Sequence, residues 1–179
     1  MNDKRAVVFL RAVNVGRANR CQPALIAKQL SNLGLVNIGA VGTFVVREKI
    51  SEPALRRAIA QKLPFTCEMM ICSAGDVLTL AASDPFAKEP SGPNITRFVS
   101  VLTKPLRPPL PLSFPLALPT ANDWLLRIVE LRGRFLLGLY VRQMKAISYL
   151  GKIEKQLGVP VTTRSWNTIE NVVQVLTGT

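Results

Sequence analysis

The sequence predicts an α+β protein built in two parts, and three observations predict it. Short apolar runs rich in β-formers alternate with stripes at helical spacing, in the order β-α-β-β-α-β, through about residue 83. A stretch rich in Pro, Ser and Gly, residues 84–94, then interrupts the pattern. Strands and helices resume at Ile95 and run to the end. The first order is that of a ferredoxin-like split βαβ unit. The expected division is therefore a ferredoxin-like subdomain over 1–83, a linker over 84–94, and a second, smaller α+β subdomain over 95–179.

Each element has its own signal. Ala6-Val7-Val8-Phe9-Leu10 is a continuous apolar run, as in a central strand, and the polar residues around Gly16 end it. Pro23 opens a helix at its first turn, where its missing N–H costs nothing. Leu25, Ile26, Leu30 and Leu33 are its expected inward face, and Gly34 fits the position just past its end. Val36–Gly39 and Thr43–Val46 are the next two strands, with Gly39 and Gly42 at the turn between them. Ser51 is an N-cap, followed by Pro53 in the first turn and Leu55, Ala58 and Ile59 facing inward. Phe65–Cys72 reads as a fourth strand. Ser73, with Asp76 three residues on, resembles a capping box opening a helix through Ala82.

Beyond the linker, Ile95–Leu102 is another strand. Lys104–Pro119 carries six prolines, which exclude regular helix and central strand. Pro108-Pro109-Leu110-Pro111 resembles a polyproline ligand, but the leucines between the prolines favour a loop packed on the core. Trp124–Leu131 and Phe135–Val141 form a hairpin around Arg132-Gly133-Arg134. Ile147, Leu150, Ile153 and Leu157 mark a helix ending at Gly158. Ser165 caps the last helix in this reading, with Ile169, Val172, Val173 and Leu176 as its stripe.

Composition narrows the function classes. Of the 179 residues, 48% are apolar and 19% charged, well outside the disordered range. No apolar run reaches the roughly 18 residues of a membrane span. The run after Lys4-Arg5 is short and meets Arg11 without a cleavage site, so it reads as a strand and not as a leader. A soluble, cytoplasmic protein is expected. There is no histidine, and the three cysteines (Cys21, Cys67, Cys72) form no C-x-x-C pair, so a zinc site is disfavoured and no metal or cofactor is expected. Without histidine, and with no two carboxylates placed by spacing on one polar face, no catalytic residue can be assigned. The net charge of +12 is uneven: +6 over residues 1–50, zero over 51–100, +5 over 101–150 and +1 over 151–179. Such a chain attracts polyanions without specificity.

Four stretches, in order and spacing, carry a resemblance. Phe9-Leu10-Arg11-Ala12-Val13-Asn14-Val15-Gly16, Val41-Gly42-Thr43-Phe44-Val45-Val46, Asp84-Pro85-Phe86 and Thr162-Thr163-Arg164-Ser165-Trp166-Asn167-Thr168 are similar to the domain of unknown function 1697 family of bacterial proteins. The resemblance spans nearly the whole chain and implies a two-subdomain α+β fold with a ferredoxin-like first half. It implies no activity. The family usually has glycine where Ala12 and often where Arg17 stand, and Ser-Gly-Asn where Val41-Gly42-Thr43 stands. Its polar, Gly-bearing segment before the penultimate helix is here Val141-Arg142-Gln143-Met144-Lys145.

Two polar stretches hold the densest donors and acceptors. Arg11 and Asn14 end the first strand, while Thr163, Arg164 and Asn167 lie at the mouth of the last helix. A helix N-terminus and arginine forks suit phosphate or carboxylate. The expected function is a non-catalytic binding or regulatory domain for a small anionic ligand held by Arg11, Asn14, Thr163, Arg164 and Asn167. The same residues serve equally in caps and turns, with Trp166 packing and the arginines paired to carboxylates. One alternative is a weak, salt-dependent nucleic-acid binder; another is a metal-independent enzyme using Arg and Asn electrostatics. Asn14–Arg20 lacks the spacing of a phosphate loop. Phe9, Phe44 and Phe98 read as core and not as a stacking platform.

Overall fold

A computed structural model describes residues 5–178. They form two compact units, one running through Asp84 and taking in the segment from Asn167 onward, the other Pro85–Trp166. The last helix therefore groups with the first unit, whereas its place in the sequence put it with the second half.

The first unit opens with β1 (Ala6–Leu10), α1 (Pro23–Gln29), β2 (Leu35–Ile38), β3 (Thr43–Val46), α2 (Glu52–Ala60), β4 (Met69–Ser73) and α3 (Ala74–Ala82). Its four strands lie in the order β2-β3-β1-β4, and every neighbouring pair is antiparallel. Alternation along β1 sends Val8 and Leu10 to one face, where they meet Phe44, Met69, Ile71 and the helical residues Ile26, Leu55 and Ile59. Val7 and Phe9 point the other way and are equally buried, as are Val45 and Met70. Both faces of the sheet are thus covered, which explains why β1 is apolar at every position. Burying each of these side chains contributes about 1.5–3 kcal/mol.

Local chemistry sets the boundaries. Ser51 Oγ accepts from Ala54 N at 3.4 Å and Ser73 Oγ from Asp76 N at 3.0 Å, so the N-caps expected at Ser51 and Ser73 are present. Gly42 turns between β2 and β3 with φ 77°, and a Cβ there would lie 2.8 Å from Leu10 Cβ. That close approach, reinforced by Leu10 N donating to Gly42 O, leaves room for glycine alone. Two expectations need correction. Leu25 lies on the exposed side of α1, and Ala27 takes its place inward. The fourth strand begins at Met69, and residues 65–68 before it are irregular.

The second unit contains β5 (Ile95–Leu102), β6 (Leu116–Pro119), β7 (Trp124–Arg132), β8 (Phe135–Val141), α4 (Met144–Leu157) and β9 (Val161–Ser165), and the last residue before the unit ends, Trp166, starts α5 (Trp166–Thr177). The sheet order is β6-β7-β8-β5-β9, antiparallel throughout. Phe98 sits opposite Gly138, where a Cβ would come within 2.6 Å of the Phe98 ring and of Arg127 O. Leu150, Ile153 and Leu157 of α4 pack on Phe98, Leu102, Leu126 and Leu136. Leu106, Leu112, Phe114, Leu116 and Leu118 close over the same cluster, so the proline-rich segment does pack down on the core. Part of it also forms β6, an edge strand that ends at Pro119 beside a register shift, and both an edge and a bulge tolerate proline. In α4, Ala146 faces inward and Ile147 is half-exposed. The largest correction is β9. Val161–Ser165 leads straight into the last helix, as expected, but is itself a strand, because β-branched Val161, Thr162 and Thr163 pair along the free edge of β5.

Candidate functional site

Between β1 and α1 the chain forms an exposed loop, Arg11–Arg20, folded back on itself. Val13, almost fully buried, is its anchor in the core. Asn14 is its clasp: Nδ2 donates to Cys21 O at 3.0 Å and Ala40 O at 2.7 Å, while Oδ1 accepts from Cys21 N at 3.0 Å. Asn14 N donates to Asn19 O, and Asn19 Nδ2 donates to Ala12 O at 3.2 Å. Four loop residues have left-handed backbone: Ala12, Asn14, Gly16 and Asn19. Three of these carry a side chain, and alanine lacks the polar group that helps Asn tolerate this region.

The clasped backbone displays cations. Arg11, Arg17 and Arg20 are all exposed, and Val15 is 65% exposed at the same surface. Arg11 Nη1 lies 2.9 Å from Glu68 Oε2, with both side chains about half in solvent. Such a pair contributes little to stability, about 0.2–1 kcal/mol, and yields readily to a competing anion. Among the described residues no ion pair engages Arg17 or Arg20.

The five expected ligand residues divide between the units. Arg11 and Asn14 belong to this loop, and Asn167, exposed, stands in the first turn of α5. Thr163 and Arg164 belong to β9 in the second unit. Thr163 Oγ1 shares a 2.6 Å hydrogen bond with Ser100 Oγ. Arg164 is buried, and its Nη1 donates to Thr162 Oγ1 at 2.8 Å and Thr163 O at 3.0 Å. Burial pushes its pKa down to about 10, so it remains cationic at neutral pH. Arg164 therefore sits within the sheet, two residues before α5 begins.

Sequence reasoning passed over a second polar cluster. Glu89, mostly buried, reaches Arg127 Nη1 at 3.4 Å, an ion-pair distance without hydrogen-bond geometry, and its carbonyl accepts from Arg97 Nη2 at 3.4 Å. Arg97 also lies over the Phe86 ring, 5.7 Å from its centroid, and Phe86 meets Trp166 edge-on at 5.0 Å. Leu139 pairs with both Arg97 and Arg127, so register alone sets the two arginines on one sheet face. No local spacing announces it.

The family described as "Protein of unknown function (DUF1697)" matches residues 4–111, a span that contains the loop and stops before β9. The structure of a conserved bacterial protein from Streptococcus pneumoniae superposes with a TM-score of 0.58, at 15% identity, covering 96% of this chain and 98% of the other. At that identity the likeness is one of fold. No curated protein gives a significant match.

Proposed function

The chain belongs to the DUF1697 family of unknown function, and on that footing we propose that it is a non-catalytic binding or regulatory domain for a small anionic ligand, held by the Arg11–Arg20 loop. The observation that carries this reading is the concentration of left-handed residues in one exposed loop that presents three arginines. Each non-glycine residue in that region costs about 1–3 kcal/mol, and such strain persists where a particular backbone shape is needed. Arginine forks match phosphate or carboxylate oxygens. In this reading Arg11, Arg17 and Arg20 contact the ligand and Asn14 fixes the loop. Thr163 and Arg164 serve β9, and Asn167 lies in the first turn of α5.

The strand order β2-β3-β1-β4, with α1 and α2 as the connections, supports reading the first unit as ferredoxin-like. The free cysteines are consistent with the cytoplasm. The test is calorimetric titration with inorganic phosphate and with a small dicarboxylate. Wild type binds one of them, and an Arg17→Ala/Arg20→Ala variant loses at least about tenfold in affinity, since each charge-assisted hydrogen bond contributes about 1.5–3 kcal/mol. Equal affinity in wild type and variant, or no binding by wild type, overturns the reading. A second reading, a nucleic-acid backbone as the anion, is favoured by the net charge of +12.

A further inference from the structure

Two thiols sit at the base of the Arg11–Arg20 loop, and nothing described above uses them. Cys21 closes the loop, bound through its own N–H and C=O to the Asn14 side chain. Cys67 precedes Glu68, whose carbonyl accepts from Arg11 N at 2.9 Å. Cys67 thus flanks the first residue of the loop and Cys21 follows its last. Both pack at the rim of one apolar cluster, that of Val8, Leu10, Val13 and Met69. Both are free and partly exposed, whereas Cys72 is buried on the opposite face of β4 from Met69 and Ile71. Glu68 O holds Arg11 N, Ala12 O accepts from Asn19 Nδ2, and Asn14 holds Cys21, so the loop's own hydrogen bonds bring both cysteines to its base.

We propose that Cys21 and Cys67 are a redox pair, forming a reversible disulfide that fastens the closing end of the loop to the segment leading into β4. The oxidant is a peroxide. One thiolate attacks the O–O bond and becomes a sulfenic acid; the second sulfur displaces its hydroxide, and the S–S bond forms. Two thiols and one hydrogen peroxide give one disulfide and two waters. A dithiol reductant reverses it. Burial raises the pKa of both thiols, so the thiolate is scarce at neutral pH and the reaction quickens as pH rises. The pairing stands whether or not the loop binds an anion, because its readout is a covalent bond.

The experiment treats the folded full-length chain with a modest excess of hydrogen peroxide at mildly alkaline pH, then blocks remaining thiols. The expected product is a monomer lighter by two hydrogens. Trypsin should release the peptide beginning at Cys21 joined to the one that holds Cys67, and cleavage after Glu68 should separate Cys67 from Cys72. Cys72→Ser should keep the link. Cys21→Ser and Cys67→Ser should each abolish it and gain oxygen at the remaining thiol. Oxygen added to wild type without a link, a link through Cys72, links only between chains, or no reaction overturns the proposal.

Discussion

Ala12 has φ 56°, where its Cβ crowds the neighbouring carbonyl. The family's usual glycine at this position now has a physical reason: the loop needs a left-handed residue directly after Arg11. This member keeps the shape and carries the strain. Relief of about 1–2 kcal/mol in the folded state is partly offset by the about 0.5–1 kcal/mol that glycine adds to the entropy of the unfolded chain. Ala12→Gly should therefore stabilise the protein by about 0.5–1 kcal/mol, seen as a higher urea midpoint at constant slope. A lower midpoint would mean that the left-handed geometry is not what the loop requires. Apart from the family resemblance, nothing in the local sequence distinguishes Ala12 from any surface alanine. The positive φ is imposed by Asn14 and Asn19 folding the loop upon itself, and only coordinates reveal it.

At the scale of elements, the caps give the sharpest contrast. Ser73 Oγ accepts at 3.0 Å and Ser51 Oγ at 3.4 Å, at the edge of a useful hydrogen bond. Ser73→Ala should cost about 1 kcal/mol and Ser51→Ala measurably less, by thermal or urea unfolding. Equal losses would show that the shorter bond gives no advantage. Both caps were legible in the sequence, because a cap is a local device: one side chain, one amide three residues on. Strands β3 and β5 and the helix from Ala74 to Ala82 were legible for the same reason, with period and boundary residue agreeing. What escaped was set from a distance. Thr162-Thr163-Arg164 becomes a strand because β5 offers an edge, and Leu116–Pro119 becomes one because β7 does. Leu25 and Ile147 fit the helical period, but Ala27 and Ala146 are small enough to approach the sheet where leucine and isoleucine were expected.

For the whole molecule, the charge and the covered sheets together constrain how a polyanion would be held. Phe9, Phe44 and Phe98 are fully buried, as their place in apolar strands implied, so they offer no base-stacking surface. With those three rings in the core, nucleic-acid binding is expected to run through phosphates, and its salt dependence counts the contacts. If the loop alone makes them, Arg11, Arg17 and Arg20 give about three contacts, and log K against log salt on a single strand should slope at about −2. Arg17→Ala/Arg20→Ala should then flatten the slope by about 1.4. A steeper slope that the double variant barely changes would assign binding to the diffuse +12 surface instead, and no slope would exclude phosphate-led binding altogether. Fluorescence anisotropy of a labelled oligonucleotide across a salt series reads all three. The arginines were visible in the sequence as composition. A basic loop after the first strand was legible too; the clasp that folds it was not, because the hydrogen bond from Asn14 to Ala40 joins residues that no local pattern connects.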